Sequence, residues 1–164
     1  MLWCPQYTFS ANIRANTHKK TLDFFNIHTR ERISACYYNH GEYQAEALTH
    51  INHVLRDHRS GEVHPIDKGL LDVLFDLKTD NGIDKPFHVI SGYRSETTNT
   101  MLANTTSGVA KKSLHTKGRA IDIRVPGIKT KNLRNACIEL QAGGVGYYPK
   151  SDFVHMDTGS VRCW

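Results

Sequence analysis

The sequence predicts an α+β fold in which helices pack on a mainly antiparallel sheet. Three observations support this class: a hairpin pattern near the N-terminus, two segments with leucine at helical spacing, and two short alternating segments in the C-terminal half. With 164 residues, the chain is long enough for one domain with a hydrophobic core and short for two.

The first predicted element is a β-hairpin. Phe, Ile, Thr and Tyr are frequent in Lys20–His28 and in Glu31–Tyr38, and Thr29-Arg30 separates the two runs. Both runs are therefore expected to be strands.

Two core-facing helices are expected next. Apolar residues recur at helical spacing in Glu42–Arg59 and in Asp67–Lys78. His64-Pro65 separates the two segments, because a residue before proline avoids helical angles. Asn81-Gly82 marks the end of the second helix.

The C-terminal half is expected to contribute a buried strand and another helix. Phe87–Ile90 is a short apolar run that leads into the turn Ser91–Arg94. Thr130–Ala142 is predicted to be a helix that ends at Gly143-Gly144.

Two further strands are predicted from alternation. In Arg119–Val125 the apolar side chains alternate with the others, so Asp122 points away from the apolar face. In Phe153–Asp157 the same alternation puts Phe153, His155 and Asp157 on one face. If the two strands are neighbours, Asp122 and His155 can converge.

A metal site is predicted from this arrangement. Catalytic zinc usually takes three protein ligands from imidazole nitrogen and carboxylate oxygen, with a fourth position left for water. His115, Asp122 and His155 fit that count, and Gly118 would allow the tight turn that brings His115 to the strand. With ten histidines in the chain, one isolated pair would carry little weight. The whole pattern predicts a metallohydrolase.

The motif Ser-x-His-x-x-Gly-x-Ala-x-Asp at residues 113–122, followed by a later strand with a third ligand, resembles the zinc D-Ala-D-Ala peptidases. Their fold is shared with the hedgehog signalling domain. Further segments resemble the branch of that family that contains murein endopeptidase K: Ser91–Ser95, Gly143–Tyr148, and Val154–Gly159 with Arg162 and Trp164.

The resemblance implies a hedgehog/DD-peptidase-like fold, with a single zinc peptidase domain over residues 20–164 after an N-terminal extension over residues 1–19. It implies Zn²⁺ as the cofactor and peptidoglycan stem peptides as the substrate, with hydrolysis of crosslinks that involve diaminopimelate as the leading activity. It also implies a periplasmic or cell-envelope location.

Arg94 is the predicted partner for the oxyanion that forms in amide hydrolysis, because the resemblance places an arginine in this turn over the cleft. Its planar guanidinium could instead bind a substrate carboxylate through two hydrogen bonds. A surface salt bridge with Glu96 is the plain alternative.

Two aspartates are candidates for the general base. Some relatives have a glutamate three residues before the last histidine ligand, where this chain has Asp152. Strand parity does not place Asp152 beside His155 unless the chain bends, whereas Asp157 lies on the correct face. Asp157 is favoured as the base or as a group that orients His155, and Asp152 remains the second candidate.

Substrate contacts are expected from Ser113, Tyr93, Tyr147 and Tyr148. Ser113 could orient His115 or contact substrate. Glycines in Gly143–Tyr148 would permit close backbone approach in a wall of the cleft, with the tyrosines as apolar faces that carry hydroxyl tips. The alternative is a tight turn after a helix.

The composition of the chain indicates which classes of binding partner to expect. The net charge of +5 favours anionic partners such as cell-wall polymers, and the scattered Lys and Arg residues argue against nucleic acid.

No apolar run is long enough to predict a membrane span, and no signal peptide can be read at the start. Four cysteines without a Cys-x-x-Cys pair leave their pairing open. We expect a monomer.

Two other functions stay open, besides the weaker alternative of a hydrolase that acts on a peptide outside the cell wall. The nearest enzymatic alternative is D,D-carboxypeptidase or dipeptidase action on D-Ala-D-Ala termini. The other is a non-catalytic zinc-bearing module that binds the cell wall, as the hedgehog relationship suggests. The presence of Arg94, Asp152 and Asp157 argues against the second of these.

Overall fold

The structure, a computed structural model, describes residues 19–105, 110 and 112–164. The strands are β1 (Lys19–Asn26), β2 (Arg32–Asn39), β3 (Glu42–Tyr43), β4 (Phe87–Ser91), β5 (Ala120–Arg124), β6 (Gly144–Tyr148), β7 (Phe153–Asp157) and β8 (Arg162–Cys163). The helices are α1 (Ala45–Val54), α2 (Lys68–Asp80), α3 (Glu96–Thr105) and α4 (Thr130–Glu139), with a short 3-10 helix over Leu114–Lys117. Apart from Lys19, the predicted extension over residues 1–19 lies outside the described residues.

The strands form one mixed sheet in the order β3-β2-β1-β4-β5-β7-β6-β8. Neighbouring strands are antiparallel except for two parallel pairs, β1 with β4 and β6 with β8. The predicted α+β class with a mainly antiparallel sheet is confirmed.

The N-terminal hairpin is confirmed, with β1 and β2 paired antiparallel. The first helix is shorter than predicted, because Glu42–Tyr43 pairs with β2 and α1 ends at Val54. A turn held by Asp57 follows α1, since the Asp57 N–H donates to the Glu62 carbonyl and the Asp57 carbonyl accepts from Gly61. The predicted helical pattern therefore runs past the true end of the helix.

Asp67 caps the N-terminus of α2. Its Oδ1 accepts from the Gly69 N–H at 3.0 Å, which satisfies a backbone donor that has no partner within the helix. Its Oδ2 accepts from the Thr158 hydroxyl at 2.7 Å. Since Thr158 follows β7 directly, this cap joins the start of α2 to the end of β7.

The core lies on one face of the sheet. The leucines of α2, Leu70, Leu71, Leu74 and Leu77, are almost completely buried, as their spacing predicts. They belong to the same apolar cluster as Ile121 and Ile123 of β5, Val154 and Met156 of β7, and Leu133 and Cys137 of α4.

Five elements are not predicted from the sequence: β3, α3, the 3-10 helix over Leu114–Lys117, β6 and β8. The Gly-rich segment that was interpreted as a cleft wall or a tight turn forms strand β6, between β7 and β8. Of the cysteines in the described part of the chain, Cys36, Cys137 and Cys163 are free thiols, and Cys4 lies outside it. No helix among the described residues is long and apolar enough to cross a membrane.

Candidate metal centre

Three ligand atoms meet at one point on the face of the sheet opposite the core. The Oδ1 of Asp122 lies 2.9 Å from Nδ1 of His155 and 3.3 Å from Nε2 of His115. The two imidazole nitrogens are 3.2 Å apart. Atoms of these three residues all lie within 4.8 Å of one another, so one cation could contact all of them.

Strand register brings two of these residues together. Asp122 in β5 and His155 in β7 are direct partners across an antiparallel pair, which confirms the prediction that these strands are neighbours. Directly opposed residues on one face of a sheet have close Cβ atoms, so the side chains converge without help from a loop.

His115 reaches the same point from the 3-10 helix before β5. The Ser113 hydroxyl caps this helix by accepting from the His115 N–H at 3.3 Å. Gly118 ends it with a φ of +63°, and a Cβ there would lie 2.2 Å from the Pro65 carbonyl oxygen. The turn therefore needs glycine at position 118 for two reasons: its positive φ, and its close approach to the Pro65 backbone between α1 and α2.

The far nitrogen of His115 determines its tautomer. Nδ1 lies 2.7 Å from the carbonyl oxygen of Gly92, which can only accept a hydrogen bond. Nδ1 therefore carries a proton, and Nε2 is the nitrogen that faces Asp122. Metal-ligating histidines in proteins are held in this way.

His155 is oriented by Asp157. Its Nε2 lies 3.0 Å from Oδ2 of Asp157, so Nε2 donates and Nδ1 faces Asp122. The carboxylate of Asp157 also accepts from the Gly144 N–H at 3.1 Å, from the Gly159 N–H at 2.8 Å, and from the guanidinium of Arg162. These partners leave the Asp157 side chain fully buried at the edge of the cleft that it helps to line.

The charges of the group are strongly coupled. Burial alone would raise the pKa of Asp122, but the adjacent imidazoles of His115 and His155 outweigh it and hold the pKa well below its ordinary value. Burial lowers the pKa of His155, but hydrogen bonds with Asp122 and Asp157 raise it to about 9. The two carboxylates thus favour a positive charge at this point, and a metal cation can replace the proton there.

Arg94 lies beside the group and is almost fully buried. Its Nη2 is 3.7 Å from Oδ2 of Asp122, and its guanidinium donates to Asn99 at 3.2 Å and to Ser91 at 3.3 Å. Among the described residues, no acceptor contacts its buried Nε. Glu96, the alternative partner for Arg94, instead lies 3.1 Å from Lys117.

A cleft of about 580 Å³ opens over the three ligand atoms. Its rim carries aromatic rings from Tyr148, Phe153 and Trp164, and its cations include Arg94 and Lys112. The Trp164 indole N–H donates to the Tyr148 hydroxyl at 3.0 Å, and its ring centroid lies 5.4 Å from that of His155.

Glycine at position 146 makes room for this indole. Gly146 is the cross-strand partner of His155 on the β6 side, and a Cβ there would lie 2.8 Å from the Trp164 ring. The sequence predicts that these glycines allow close approach to the backbone in a wall of the cleft. In the structure, the group that comes close to Gly146 is the protein's own Trp164 side chain.

The other predicted site residues divide into two groups. Ser113 and Tyr148 line the cleft. Tyr93, Tyr147 and Asp152 are not among the described residues that line it.

Each of these three has a partner elsewhere. The Tyr93 hydroxyl donates to Glu62 at 2.6 Å, and its ring stacks on His64. The Tyr147 ring packs under the guanidinium of Arg134 on α4, on the other face of β6. Asp152, at a φ of +54°, accepts from the Thr130 hydroxyl and lies 3.6 Å from Arg124.

Comparison with known proteins agrees with this geometry. Residues 14–164 match the sequence profile of a peptidase family, M15, that is described as "Peptidoglycan L,D-endopeptidase MepK". The chain belongs to this peptidase family.

Individual members of the M15 family align over most of the chain. The peptidoglycan L,D-endopeptidase MepK of Escherichia coli K12 is 47% identical over 145 residues, which cover 88% of this chain and 80% of the relative. The probable peptidoglycan L,D-endopeptidase MepK of Haemophilus influenzae is 39% identical over 146 residues, covering 88% and 78%. Membership confirms the predicted resemblance and the prediction of a metallopeptidase.

Sequence reasoning did not assign roles to seven residues that line the cleft of this M15 peptidase: Ala110, Lys112, Leu114, Ser151, Phe153, Arg162 and Trp164. Strand alternation places Phe153 on the same face as His155 and Asp157, but alternation alone gives it no role. Arg162 and Trp164 stood in the segments that carried the resemblance, but only the fold brings them beside Asp157 and His155. No sequence pattern pointed to Lys112.

Proposed function

We propose that this protein is a zinc-dependent peptidoglycan endopeptidase that hydrolyses L,D peptide crosslinks between stem peptides. The observation that carries the proposal is the convergence of His115 Nε2, His155 Nδ1 and Asp122 Oδ1 at the floor of an open cleft. The bond class comes from the names of the relatives, which are peptidoglycan L,D-endopeptidases.

The donor set fits zinc. Two imidazole nitrogens and one carboxylate oxygen, with both ring tautomers held by acceptors on the far side, match the ligands of catalytic zinc sites. Calcium and magnesium prefer oxygen ligands, so they fit this group less well. When bound, zinc supplies Lewis-acid polarisation of the scissile carbonyl and a low-pKa water at neutral pH.

Arg94 is the residue proposed to stabilise negative charge during the reaction. Its guanidinium lies at the cleft next to Asp122, and its Nε has no acceptor among the described residues. A guanidinium that lines the cleft can bind either the oxyanion of the reacting amide or a carboxylate of the substrate.

Asp157 is proposed as the group that orients His155. Its two oxygens already accept from His155, Arg162 and two backbone N–H groups, so a proton taken from the cleft would disrupt several of these bonds. The contacts of Asp152 with Thr130 and Arg124 give it no comparable role.

The aromatic rim suits the aliphatic parts of a stem peptide, and Lys112 and Arg94 suit its carboxylates. The net charge of +5 also favours the anionic polymers of the cell wall. We expect the protein to act as a monomer in the periplasm or elsewhere in the cell envelope.

Digestion of purified muropeptides tests the proposal. Three substrates are compared by mass spectrometry, with zinc and with a chelator: L,D-crosslinked dimers, D,D-crosslinked dimers, and monomers that end in D-Ala-D-Ala. Zinc-dependent conversion of L,D dimers to monomers is expected. Release of free D-Ala from monomers would support the carboxypeptidase instead, and binding to sacculi without hydrolysis in zinc would support the binding module.

A further inference from the structure

Arg162 and His155 hold the same carboxylate from two sides. The Nη2 of Arg162 donates to Oδ2 of Asp157 at 2.7 Å, and its Nη1 donates to Oδ1 at 3.1 Å. Oδ2 is also the atom that accepts from Nε2 of His155 at 3.0 Å. Bidentate pairing of this kind is strong and directional, so it restricts rotation of the carboxylate.

The backbone around this pair leaves room for it. A Cβ on Gly144 would lie 2.5 Å from Nη1 of Arg162 and 2.6 Å from Oδ2 of Asp157. A Cβ on Gly159 would lie 2.9 Å from Oδ1 of Asp157 and 3.1 Å from the same guanidinium. Both glycines therefore flank the ion pair closely, and larger residues at either position would displace it.

The two oxygens of Asp157 are held differently. The backbone N–H groups of Gly144 and Gly159 donate to Oδ1 only. Among the described residues, the side chains of His155 and Arg162 donate to Oδ2. Loss of Arg162 would leave Oδ1 held by the two backbone N–H groups, but it would leave Oδ2 with His155 alone of these two partners.

We propose that Arg162 is a positioning residue for the metal centre. It keeps Asp157 aimed at Nε2 of His155, and so keeps Nδ1 of His155 aimed at the position shared with His115 and Asp122. This inference rests on the proposed function in one respect, namely that the three ligand atoms bind a metal ion.

The surroundings of Arg162 make the test practical. Its side chain is 43% exposed, so a substitution there does not open a cavity in the core. The guanidinium also donates to the Ser160 carbonyl and lies 5.0 Å from the Trp164 ring, contacts that belong to the cleft rim.

Zinc affinity is the readout. The dissociation constant for zinc is measured by competition with a chromogenic chelator for the wild type, R162M, R162K and the control R134M. Arg134 suits as a control because its guanidinium also packs on an aromatic ring, that of Tyr147, but on the other face of β6. Circular dichroism of the metal-free proteins checks that each variant is folded.

R162M is expected to bind zinc about 10- to 100-fold more weakly, the usual effect of removing a group that supports a metal-ligating histidine. R162K should recover part of the affinity, because an ammonium can reach one carboxylate oxygen but cannot reproduce the bidentate pair. R134M should bind like the wild type.

Unchanged zinc affinity in R162M would overturn the positioning role, as would an equal loss in R134M. If the wild type binds zinc and R162M matches it, only this inference fails. If the wild type itself binds no zinc, the proposed function fails with it.

Discussion

The Nδ1 of His115 lies 2.7 Å from the carbonyl oxygen of Gly92, a residue 23 positions earlier in the chain. The Arg94 N–H in turn donates to the His115 carbonyl at 3.2 Å. The 3-10 helix and the turn after β4 thus hold each other, and the orientation of one metal-facing ring depends on the position of that turn.

The loop after α1 supports the turn from below. The Leu55 carbonyl accepts from the Tyr93 N–H at 2.8 Å. Oδ2 of the buried Asp57 accepts from the N–H of Ser95 at 3.0 Å and from its hydroxyl at 2.8 Å. These contacts place Gly92 where only a residue without a side chain fits.

Gly92→Ala should destabilise the protein. An added Cβ would lie 2.4 Å from the Leu55 carbonyl oxygen, which is backbone and cannot swing aside. We expect a loss of about 1 to 3 kcal/mol in the free energy of unfolding, typical of overpacking, measured by urea denaturation. Gly69→Ala is the matched control, because the nearest atom to its Cβ would be an Asp67 side-chain oxygen at an ordinary contact distance of 3.4 Å. Alanine in that first turn of α2 should be neutral or stabilising, and equal losses in both variants would contradict the argument.

Asp122→Asn should abolish tight zinc binding and peptidoglycan hydrolysis. Asparagine keeps the shape of the side chain but removes the negative charge that faces both imidazoles. Zinc content after dialysis, measured by atomic emission, should fall from one equivalent to near none. Asp84→Asn, at a side chain that is 82% exposed, should retain both zinc and activity. Full zinc occupancy in the Asp122 variant would contradict the assigned ligand set.

Asp157→Asn and Asp152→Asn should differ sharply. Asparagine at position 157 weakens the hydrogen bond to His155 and loses the ion pair with Arg162, so we expect a loss of about 10- to 100-fold in zinc affinity. Asparagine at position 152 changes only contacts with Thr130 and Arg124, so kcat should stay within about twofold of the wild type. A large fall in kcat for the Asp152 variant, with zinc bound normally, would restore that residue as the general base.

Stability should fall as the pH drops from about 6.5 to about 4 because of His58. Burial lowers the pKa of His58 to about 4, with smaller contributions from the nearby His28 and Arg59, and its ring stacks on that of His28 at 3.8 Å. The unfolded chain, with a histidine pKa near 6.5, takes up this proton first, so protonation in that window favours unfolding. His58→Phe should therefore reduce the slope of stability against pH between these values, measured by urea denaturation. His50→Gln, at an exposed histidine of α1, should leave the slope unchanged, and an identical slope in the His58 variant would refute the assignment.

Most of the metal centre could be predicted from the sequence, because the alternation of side chains between the two faces of a strand is a local property. Alternation along β5 and β7 assigned faces to Asp122 and His155 before their pairing was known, and antiparallel register then made them direct partners. The role of Asp157 stayed divided between base and orienting group, because the sequence does not show that Arg162 fills its other side.

The sequence does not predict β6 or α3, for a different physical reason in each case. Strand β6 could not be predicted because its segment contains Gly143, Gly144 and Gly146, which have low β-propensity and are typical of turns. In the structure, the absence of side chains at these positions makes room for Asp157, Arg162 and Trp164. α3 was missed because Glu96–Thr105 is rich in Thr and Asn and has no apolar period.

Asp152 illustrates a local limit of parity arguments. The chain does bend before β7, and Asp152 adopts a positive φ of +54°, but the bend carries its carboxylate to Thr130. Alternation assigns faces within a strand, so it says nothing reliable about a residue one position outside β7.

The interior position of β5 and β7 in the sheet has a consequence for how specificity can change. Both strands are hydrogen-bonded on each edge, β5 between β4 and β7, and β7 between β5 and β6. Their backbones therefore resist displacement, whereas Lys112, Ser151 and Trp164 on the rim are exposed and sit outside these strands. Substitutions at the rim can alter which peptides enter while the chemistry below stays intact, which makes the rim the place to engineer new crosslink preferences.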